Sequence, residues 1–129
     1  MIVRVQTVDG VVDVDLDEEE VLGLDPDERL EPRPAVPLSL PRVVAAAEAG
    51  STVVAVVDTK PPLLVSHDAG RTWRDSGRGL PPGRAVAIAD DPDVVVYATR
   101  NRLYLSRDGG RFWHGLAVEL PEIEALGFE

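Results

Sequence analysis

SHDAGRTW, residues 66–73, and SRDGGRFW, residues 106–113, are two copies of one short pattern, placed forty residues apart. In each copy an apolar run leads into Ser-x-Asp-x-Gly, and an aromatic side chain follows. Aspartate and glycine after an apolar run indicate a tight turn, while the run itself is typical of a strand. The pattern therefore predicts a strand, a turn and a second strand, written twice.

The repetition extends well beyond the turn. Residues 40–79 align with residues 80–119 without a gap, and a third copy begins at Leu120 and Pro121. Fourteen positions of the first copy recur in the second: Leu40, Pro41, Ala45, Ala47, Ala49, Val54, Val56, Thr59, Leu63, Ser66, Asp68, Gly70, Arg71 and Trp73. A period of this length is the sequence signature of a repeat architecture.

Each unit reads as four short strands, here lettered A to D. The second unit gives RAVAIA, VVVYAT, RLYLS and RFWHGLAVE, at residues 84–89, 94–99, 102–106 and 111–119. The first unit gives VVAAAEA, TVVAVVDT, PLLVS and a strand that begins at Arg71. Runs such as VVAVV suit sheets covered on both faces, and four-stranded sheets repeating at about forty residues are typical of a β-propeller. The sequence predicts an all-β propeller with three blades per chain.

The two turns carry a family resemblance. SHDAGRTW and SRDGGRFW resemble the Asp-box, or BNR repeat, S-x-D-x-G-x-T-W, of sialidases, sortilin-type receptors and photosystem-assembly-factor-like proteins. The first copy matches every fixed position, and the second has Phe112 in place of threonine. The resemblance covers residues 40–129 and implies a propeller in which the box is structural.

The residue types of the box explain that structural role. The Asp carboxylate can accept hydrogen bonds from backbone N–H groups of its own turn, and glycine permits a positive φ. Serine adds a second local anchor, and tryptophan offers a large apolar area to bury between blades. We assign these structural roles to Ser66, Asp68, Gly70, Trp73, Ser106, Asp108, Gly110 and Trp113.

The N-terminal third supplies a further, incomplete blade. Sliding residues 1–22 by 91 places Val3 on Val94, Val5 on Val96 and Asp17 on Asp108, although Glu19 replaces the glycine. This alignment predicts strands B, C and D without a strand A, while residues 122–129 form a spare strand A. A long connection links the N-terminal strands to the first repeat unit. It contains prolines 26, 32, 34 and 37, and this composition suggests an extended surface loop.

Three blades are too few for a closed ring, since propellers have about four to eight. We therefore expect a six-bladed, strand-exchanged homodimer, in which residues 120–129 of a partner complete the blade of residues 1–39. The other blades are residues 40–79 and 80–119. This closure would leave few exposed sheet edges. The alternative is that the chain is a piece of a longer gene product.

The scarce positive charge marks a candidate binding face. The B–C and D–A loops, which form the usual ligand face of such propellers, carry Lys60, Arg78, Arg84, Arg100, Asn101 and Arg102. Arginine forks suit carboxylate or phosphate. The alternative is that these arginines pair with Asp25, Asp27, Glu28 and Glu31 of the long loop on the same face. The expected function is a non-catalytic binding or scaffold module for an anionic small molecule, a glycan or a protein segment.

The second hypothesis is a glycosidase or sialidase-like hydrolase. Glu48 and Glu124 lie on inner strands, and paired carboxylates can hydrolyse glycosides. The third inner strand, residues 122–129, has a different pattern, however. Tyr97 and Tyr104 lie on strands other than the inner ones. His67 and His114 have no matching partners, so we expect no metal site. The glycines form no phosphate-binding loop, and we expect no cofactor.

Composition narrows the classes further. The chain of 129 residues has the size of one domain and a net charge of −10, with eleven acidic residues against three arginines in its first forty. Such a field disfavours nucleic acid and anionic lipid as partners. No apolar run reaches the ~18 residues of a membrane span, and the N-terminus does not resemble a signal peptide. Without cysteine there is no disulfide, and we expect a cytoplasmic protein.

Overall fold

The computed structural model describes residues 1–33 and 35–129, and these residues form twelve β-strands in three antiparallel sheets of four. Blade 1 has the order β12-β1-β2-β3, blade 2 runs from β4 to β7, and blade 3 runs from β8 to β11. The strands are β1 Ile2–Thr7, β2 Gly10–Asp15, β3 Glu20–Asp25, β4 Val43–Ala49, β5 Thr52–Val57, β6 Leu63–Ser66, β7 Arg74–Ser76, β8 Ala85–Ile88, β9 Val95–Ala98, β10 Arg102–Ser106, β11 His114–Glu119 and β12 Ile123–Phe128.

The four strands predicted for each repeat unit are present. The fourth strand of each unit begins later than expected, at Arg74 and at His114, because the turn holds the residues before it in a hydrogen-bonded loop. The valine-rich strands β5 and β9 are buried along their whole length, as their continuous apolar sequence indicated.

Blade 3 lies between the other two blades. One core cluster joins it to blade 1 and includes Val5, Val96 and Leu126. A second cluster joins its other face to blade 2 and includes Val56, Val86 and Tyr97. Because strand side chains alternate between the two faces of a sheet, blade 3 packs against a neighbouring blade on each of its faces. Blades 1 and 2 each pack against blade 3 with one face, and their other face points away from it.

Blade 1 is complete within the single chain. Strand β12 pairs with β1 of the same chain, with Val3 opposite Phe128 and Val5 opposite Leu126. The expectation was that β12 would complete this blade in a partner, so the structure differs from it here. Strand β1 has β12 as its hydrogen-bonded neighbour whether β12 comes from the same chain or from a partner chain. The exchange of β12 between two chains stays a prediction.

The alignment that predicted blade 1 is wrong by one residue. An offset of 91 places Val5 on Val96. In the structure, however, Thr7 and Thr99 each donate a hydroxyl hydrogen bond to the carbonyl oxygen three residues further on, at 2.8 and 3.3 Å. This match makes the two threonines equivalent and places Val5 on Tyr97. Since side chains alternate with a period of two, a slip of one residue exchanges the two faces of every strand.

The turn between β2 and β3 is a hairpin of a different kind from the repeated turn. Asp15 accepts hydrogen bonds from the backbone N–H of Asp17 and of Glu18, at 2.9 and 3.1 Å. Glu19 has a φ of 53°, where the repeated turn has glycine. The hairpin is confirmed, and its acceptor is Asp15, whereas the alignment had placed Asp17 on Asp108.

The connection from β3 to β4 forms no helix or strand among its described residues, as its prolines indicated; Pro34 lies outside the described residues. It lies against the face of blade 1 that is turned away from blade 3. The Glu28 carboxylate accepts from the Arg4 guanidinium at 2.6 Å, and the backbone N–H of Leu30 donates to the Gln6 side-chain oxygen at 2.9 Å. This face of blade 1 is therefore polar and covered by the chain itself.

The corresponding face of blade 2 is open at its inner edge, where β4 exposes Val44 and Glu48. Ala45 and Ala47 pack toward blade 3, so Val44 lies on the opposite face of the same strand, where its side chain is 52% exposed. Strand β3 at the outer edge of blade 1 is likewise exposed, with Leu22 and Leu24 half open to solvent. No helix within residues 1–33 and 35–129 is long and apolar enough to cross a bilayer.

Candidate functional site

The connections of the blades emerge at two opposite ends. One end, the loop face, carries the connections β5–β6, β7–β8, β9–β10 and β11–β12. The other end, the turn rim, carries the two repeated turns together with the short turns β4–β5 and β8–β9. The rim turns touch within each blade, because Ala69 N–H donates to Ser51 O and Gly109 N–H to Asp93 O, each at 2.9 Å.

The loop face contains a cleft of about 450 Å³ on blade 3. Two segments form it, Pro81–Arg84 before β8 and Thr99–Arg102, which runs from the end of β9 to the first residue of β10, and Tyr104 contributes to its wall. The cleft brings together four of the six residues proposed for ligand binding: Arg84, Arg100, Asn101 and Arg102. The other two, Lys60 and Arg78, are exposed and lie outside its described lining.

Glu122 holds two of these arginines. Its carboxylate oxygens accept from Arg84 Nη1 at 3.3 Å and from Arg100 Nε at 2.9 Å. The hydrogen bond and charge of Arg84, followed by those of Arg100, hold the pKa of Glu122 below its usual value. Among the described residues, Arg102 makes no ion pair. The predicted alternative, pairing with carboxylates of the long loop, is wrong for Arg84 and Arg100, because their acidic partner is Glu122.

The backbone of the cleft is fixed by packing against blade 3. The Tyr97 hydroxyl donates to the Pro81 carbonyl oxygen at 2.7 Å. A Cβ at Gly83 would lie 2.1 Å from the Tyr97 ring, so only glycine allows this approach. On the other side, the Asn101 side-chain amide donates to the Leu120 carbonyl oxygen at 2.9 Å. Asn101 therefore positions the loop, and the three arginines supply the charge.

The two proposed catalytic acids do not form a pair. Glu124 lines a groove of about 780 Å³ beside Arg4 and Gln6, and it accepts from the Gln6 amide at 3.3 Å. Glu48 lines a separate hollow with Val36. No cluster of three or more metal-ligating side chains occurs in the part of the chain that the structure describes.

The repeated turns form the hydrogen bonds expected of their residue types. In turn motif 1, Ser66–Trp73, the Ser66 hydroxyl donates to Asp68 at 2.8 Å and accepts from Gly70 N–H at 2.8 Å. In turn motif 2, Ser106–Trp113, the corresponding distances are 2.8 and 2.9 Å. Gly70 and Gly110 have φ values of 86° and 91°. The serines, aspartates and glycines of both turns thus make hydrogen bonds and φ angles of the kind that their predicted structural roles require, and the roles themselves stay a prediction.

The two tryptophans differ in their surroundings. Trp113 packs against the core cluster between blades 2 and 3, its ring 6.0 Å from that of Tyr97. Its indole N–H donates to the Ser76 hydroxyl of blade 2 at 2.9 Å, and that hydroxyl donates to the Gly110 carbonyl oxygen. Trp73 is half-buried and belongs to neither of the two described core clusters. Of the two tryptophans, Trp113 therefore packs between blades, and Trp73 lies outside both clusters.

Sequence reasoning did not find Glu122 or Gly83 as parts of the cleft. Glu122 falls on Pro82 in the forty-residue alignment and Gly83 falls on Val43, so the repeat gave no signal for either. The two histidines are exposed, and each has one polar neighbour. His67 Nδ1 lies 3.3 Å from the Thr52 hydroxyl, and His114 Nε2 lies 2.9 Å from a Glu19 carboxylate oxygen.

Comparison with known proteins finds structural likeness without a family assignment. No protein-family model matches the chain, and a search of curated proteins gave no significant match. A solved structure described as YCF48 bound to D1 peptide matches with a TM-score of 0.50 and 22% identity, over 87% of this chain and 34% of that one. A GH74 enzyme of Niastella koreensis matches with a TM-score of 0.48 and 20% identity, over 92% of this chain and 18% of that one.

The present chain thus spans about a third of the length of the YCF48 chain and less than a fifth of the GH74 chain. At this identity the likeness to YCF48 speaks to the fold alone. Together with three packed blades of four antiparallel strands, it shows that the chain has a β-propeller fold.

Proposed function

We propose that the chain is a non-catalytic binding module of the Asp-box propeller type, whose cleft on the loop face binds a carboxylate or phosphate group. The observation that carries the proposal is the meeting of Arg84, Arg100 and Arg102 in one cleft with a single clamping acid, Glu122. Three guanidinium groups against one carboxylate leave a local excess of positive charge. This excess is notable in a chain with a net charge of −10.

The geometry supports anion binding in two ways. Glu122 orients Arg84 and Arg100 in advance, which lowers the entropy that a ligand must remove from them. The Arg100 side chain is still 71% exposed, so its remaining N–H donors are available to a ligand. Arg102 adds a third fork at the same opening. Guanidinium forks bind carboxylate and phosphate in bidentate fashion.

A protein segment is the ligand class that we favour over a glycan or an anionic small molecule. The similar YCF48 structure contains a bound peptide, as its description states, and this supports a peptide ligand for a propeller of this shape. An acidic segment would present several carboxylates to the three arginines at once. Such binding weakens as salt is added, because exposed charges are screened.

Isothermal titration with four probes tests the cleft: an acidic decapeptide, a basic decapeptide of the same length, citrate and inorganic phosphate. We expect the acidic peptide to bind, and Arg84→Ala/Arg100→Ala to weaken its binding by about tenfold or more, as loss of charge-assisted hydrogen bonds predicts. Arg78→Ala is the matched control, since Arg78 lies outside the cleft. Unchanged affinity in the double variant, or failure of every anionic probe to bind, would contradict the proposal.

We further propose that two chains form a six-bladed ring by exchanging β12. The exposed Val44 and the half-buried Trp73 support this, because both lie where a further blade would pack on blade 2. The long connection between β3 and β4 is another support, since it lets blade 1 change its position relative to blade 2. In such a ring, the β3–β4 connection that covers blade 1 would lie between blade 1 of one chain and blade 2 of the ring.

Engineered disulfides test the exchange in a chain that has no cysteine of its own. Gln6 and Ala125 are opposite each other in the β1–β12 ladder, within the range that a disulfide can span. Gln6→Cys/Ala125→Cys should give a covalent dimer on non-reducing gels if β12 is exchanged. Gln6→Cys/Val11→Cys is the control, because that pair lies within one hairpin in either arrangement. An exclusively intrachain disulfide in both variants would exclude the exchange.

Cytoplasmic action remains part of the proposal. The absence of cysteine supports it, because a chain that uses no disulfide gains nothing from an oxidising compartment. Microscopy of the chain fused at its C-terminus to a fluorescent protein would test the location, and signal confined to an extracytoplasmic compartment would contradict it.

A further inference from the structure

The two turn motifs differ at the one position where the second departs from the pattern. In turn motif 1, Thr72 donates its backbone N–H to one carboxylate oxygen of Asp68 at 2.9 Å and its hydroxyl to the other at 2.6 Å. In turn motif 2, Phe112 donates its backbone N–H to Asp108 at 3.1 Å and has no hydroxyl to donate. The second turn therefore lacks a charge-assisted hydrogen bond that the first one has.

Phe112 does not compensate for the missing hydrogen bond by packing in either core cluster. Its side chain is 75% exposed, the largest exposure among the large apolar side chains of the described residues. The neighbouring Trp113 packs between the blades, whereas Phe112 points away from both core clusters. A substitution that removes a hydrogen bond and exposes an aromatic ring has no benefit for folding. A benefit for binding explains it, since exposed aromatic side chains are frequent anchors of interfaces.

The surroundings of the ring form a surface, here called the Phe112 surface. Two shallow hollows of about 440 and 400 Å³ share Phe112 as part of their walls. The first also contains Arg74 and Arg111, and the second contains Arg107 and the edge of Trp113. The ring thus stands between two hollows, with three arginines around it.

The charge around the ring is complementary to an acidic partner. Arg74 and Arg111 are exposed and form no ion pair within residues 1–33 and 35–129. Arg107 is bound to Asp17 at 2.9 Å but remains about half exposed. Of the two acids in these hollows, Asp108 turns its carboxylate into its own turn, which leaves Asp75 as the outward acid. In the first hollow, two guanidinium groups without an ion pair thus face one outward carboxylate, on a strongly acidic chain.

We propose that the Phe112 surface is a docking site for a short protein segment that carries a large apolar side chain between carboxylates. The apolar side chain packs on the Phe112 ring and into one of the two hollows. The flanking carboxylates meet Arg74, Arg107 and Arg111. The surface lies on the turn rim, at the opposite end of the blades from the arginine cleft, so a module with both sites can hold two partners at once.

Fluorescence polarisation with three labelled twelve-residue peptides tests this site. The first peptide has one leucine within aspartates and glutamates, the second has glycine in place of the leucine, and the third has lysines in place of the acids. The peptides are compared on the Arg84→Ala/Arg100→Ala background, which removes binding at the arginine cleft, and there we expect only the first to bind well. Phe112→Thr should weaken its binding by about tenfold or more, as loss of an interface anchor does, and should keep the fold because threonine restores the turn pattern.

Two further variants separate this site from the arginine cleft. Arg84→Ala/Arg100→Ala disables the arginine cleft, which by the proposed function also binds acidic peptides, so binding of the leucine peptide that persists in this variant reports on the Phe112 surface. Arg74→Ala/Arg111→Ala should weaken binding and reduce its dependence on salt. Failure of the leucine peptide to bind, equal binding of the glycine peptide, or full binding by Phe112→Thr would overturn the proposal. So would self-association of the wild type that Phe112→Thr abolishes, because the occupant would then be a second copy.

Discussion

Turn motif 1 and turn motif 2 share five of their eight residues and nearly all of their internal hydrogen bonds, yet they serve different surroundings. The serine and aspartate hold the turn with distances that agree within a few tenths of an ångström. The tryptophan that follows is partly buried in both motifs, but it packs against the core cluster between blades in motif 2 and lies outside both core clusters in motif 1. The turn is therefore a local structure, whereas the environment of its tryptophan depends on which blade is adjacent.

The position of each blade explains the difference. Blade 3 has a neighbour on both faces, and its Trp113 reaches the Ser76 hydroxyl of blade 2. Blade 2 has a neighbouring blade on one face only. Trp73 belongs to blade 2 and lies outside the cluster that this blade shares with blade 3. If a further blade packs on the other face of blade 2, as in the proposed ring, the two tryptophans become equivalent. Substitutions at the two sites therefore report on the ring as well as on the turn.

The largest expected effect comes from the tryptophans. Trp113→Ala should lower the free energy of unfolding by about 3 kcal/mol, because it removes a large ring from a packed interface. Trp73→Ala should cost less than about 1 kcal/mol in a lone chain, because its ring lies outside both core clusters. Guanidinium unfolding followed by far-UV circular dichroism measures both, since it does not depend on tryptophan fluorescence.

Protein concentration supplies the control for that comparison. In a two-chain ring, Trp73→Ala should cost as much as Trp113→Ala and its midpoint should rise with protein concentration. Equal and small costs for both variants at every concentration would refute the packing described for Trp113.

A smaller effect is expected from the aspartates at low pH. Hydrogen bonds lower the pKa of both carboxyls, chiefly from Thr72 in the case of Asp68 and from the Phe112 N–H in the case of Asp108. A group whose pKa is lower in the folded state stabilises fully above the unfolded value of about 3.9 and loses this contribution as pH falls through the folded pKa. We expect the free energy of unfolding to decline below about pH 4. There the two carboxyls bind protons in the unfolded chain, while in the folded chain they remain ionised.

Asparagine variants make the acid test specific. Asp68→Asn should flatten the decline of stability with falling pH more than Asp108→Asn, because Asp68 accepts an additional hydroxyl hydrogen bond. Thermal unfolding between neutral pH and strongly acidic buffer gives the two slopes. A wild-type Tm that does not change over this range would contradict the assignment.

The smallest effect concerns the position at which the motifs differ. Phe112→Thr should raise the free energy of unfolding by less than about 1 kcal/mol, since it adds one hydrogen bond at an exposed site. Thr72→Phe should lower the Tm slightly, and the double exchange should lie close to the wild type. A clear loss of stability in Phe112→Thr would mean that the ring packs in the fold and would weaken the case for the Phe112 surface.

The sequence predicted blades 2 and 3 well because their information is local. Strand patterns with a period of two and turns with Ser, Asp and Gly recur at a fixed distance, and each hydrogen bond joins residues near in sequence. Blade 1 was harder, because valines at alternate positions match equally well in two registers. The hydroxyl of Thr7 distinguishes the registers, and its role became visible only in the ladder.

The arginine cleft was predicted in part for a similar reason. Antiparallel strands bring the β7–β8 and β9–β10 connections to the same end of blade 3, and this placed Arg84, Arg100 and Arg102 together. Arg78 lies earlier in its connection, and Lys60 lies on the neighbouring blade, so neither reaches the cleft. Glu122 could not be found from the repeat because no carboxylate occupies its equivalent positions.

The pairing of β12 with β1 also holds the two ends of the polypeptide side by side, with the Glu129 N–H 3.4 Å from the Ile2 carbonyl oxygen. A peptide of a few residues would suffice to ligate them into a cyclic molecule, and the strand-free connection after β3 offers a place to reopen it as a circular permutant. The same proximity would let two copies be expressed in tandem as one gene. The proposed six-bladed ring, which otherwise needs two separate subunits, would then form at any dilution.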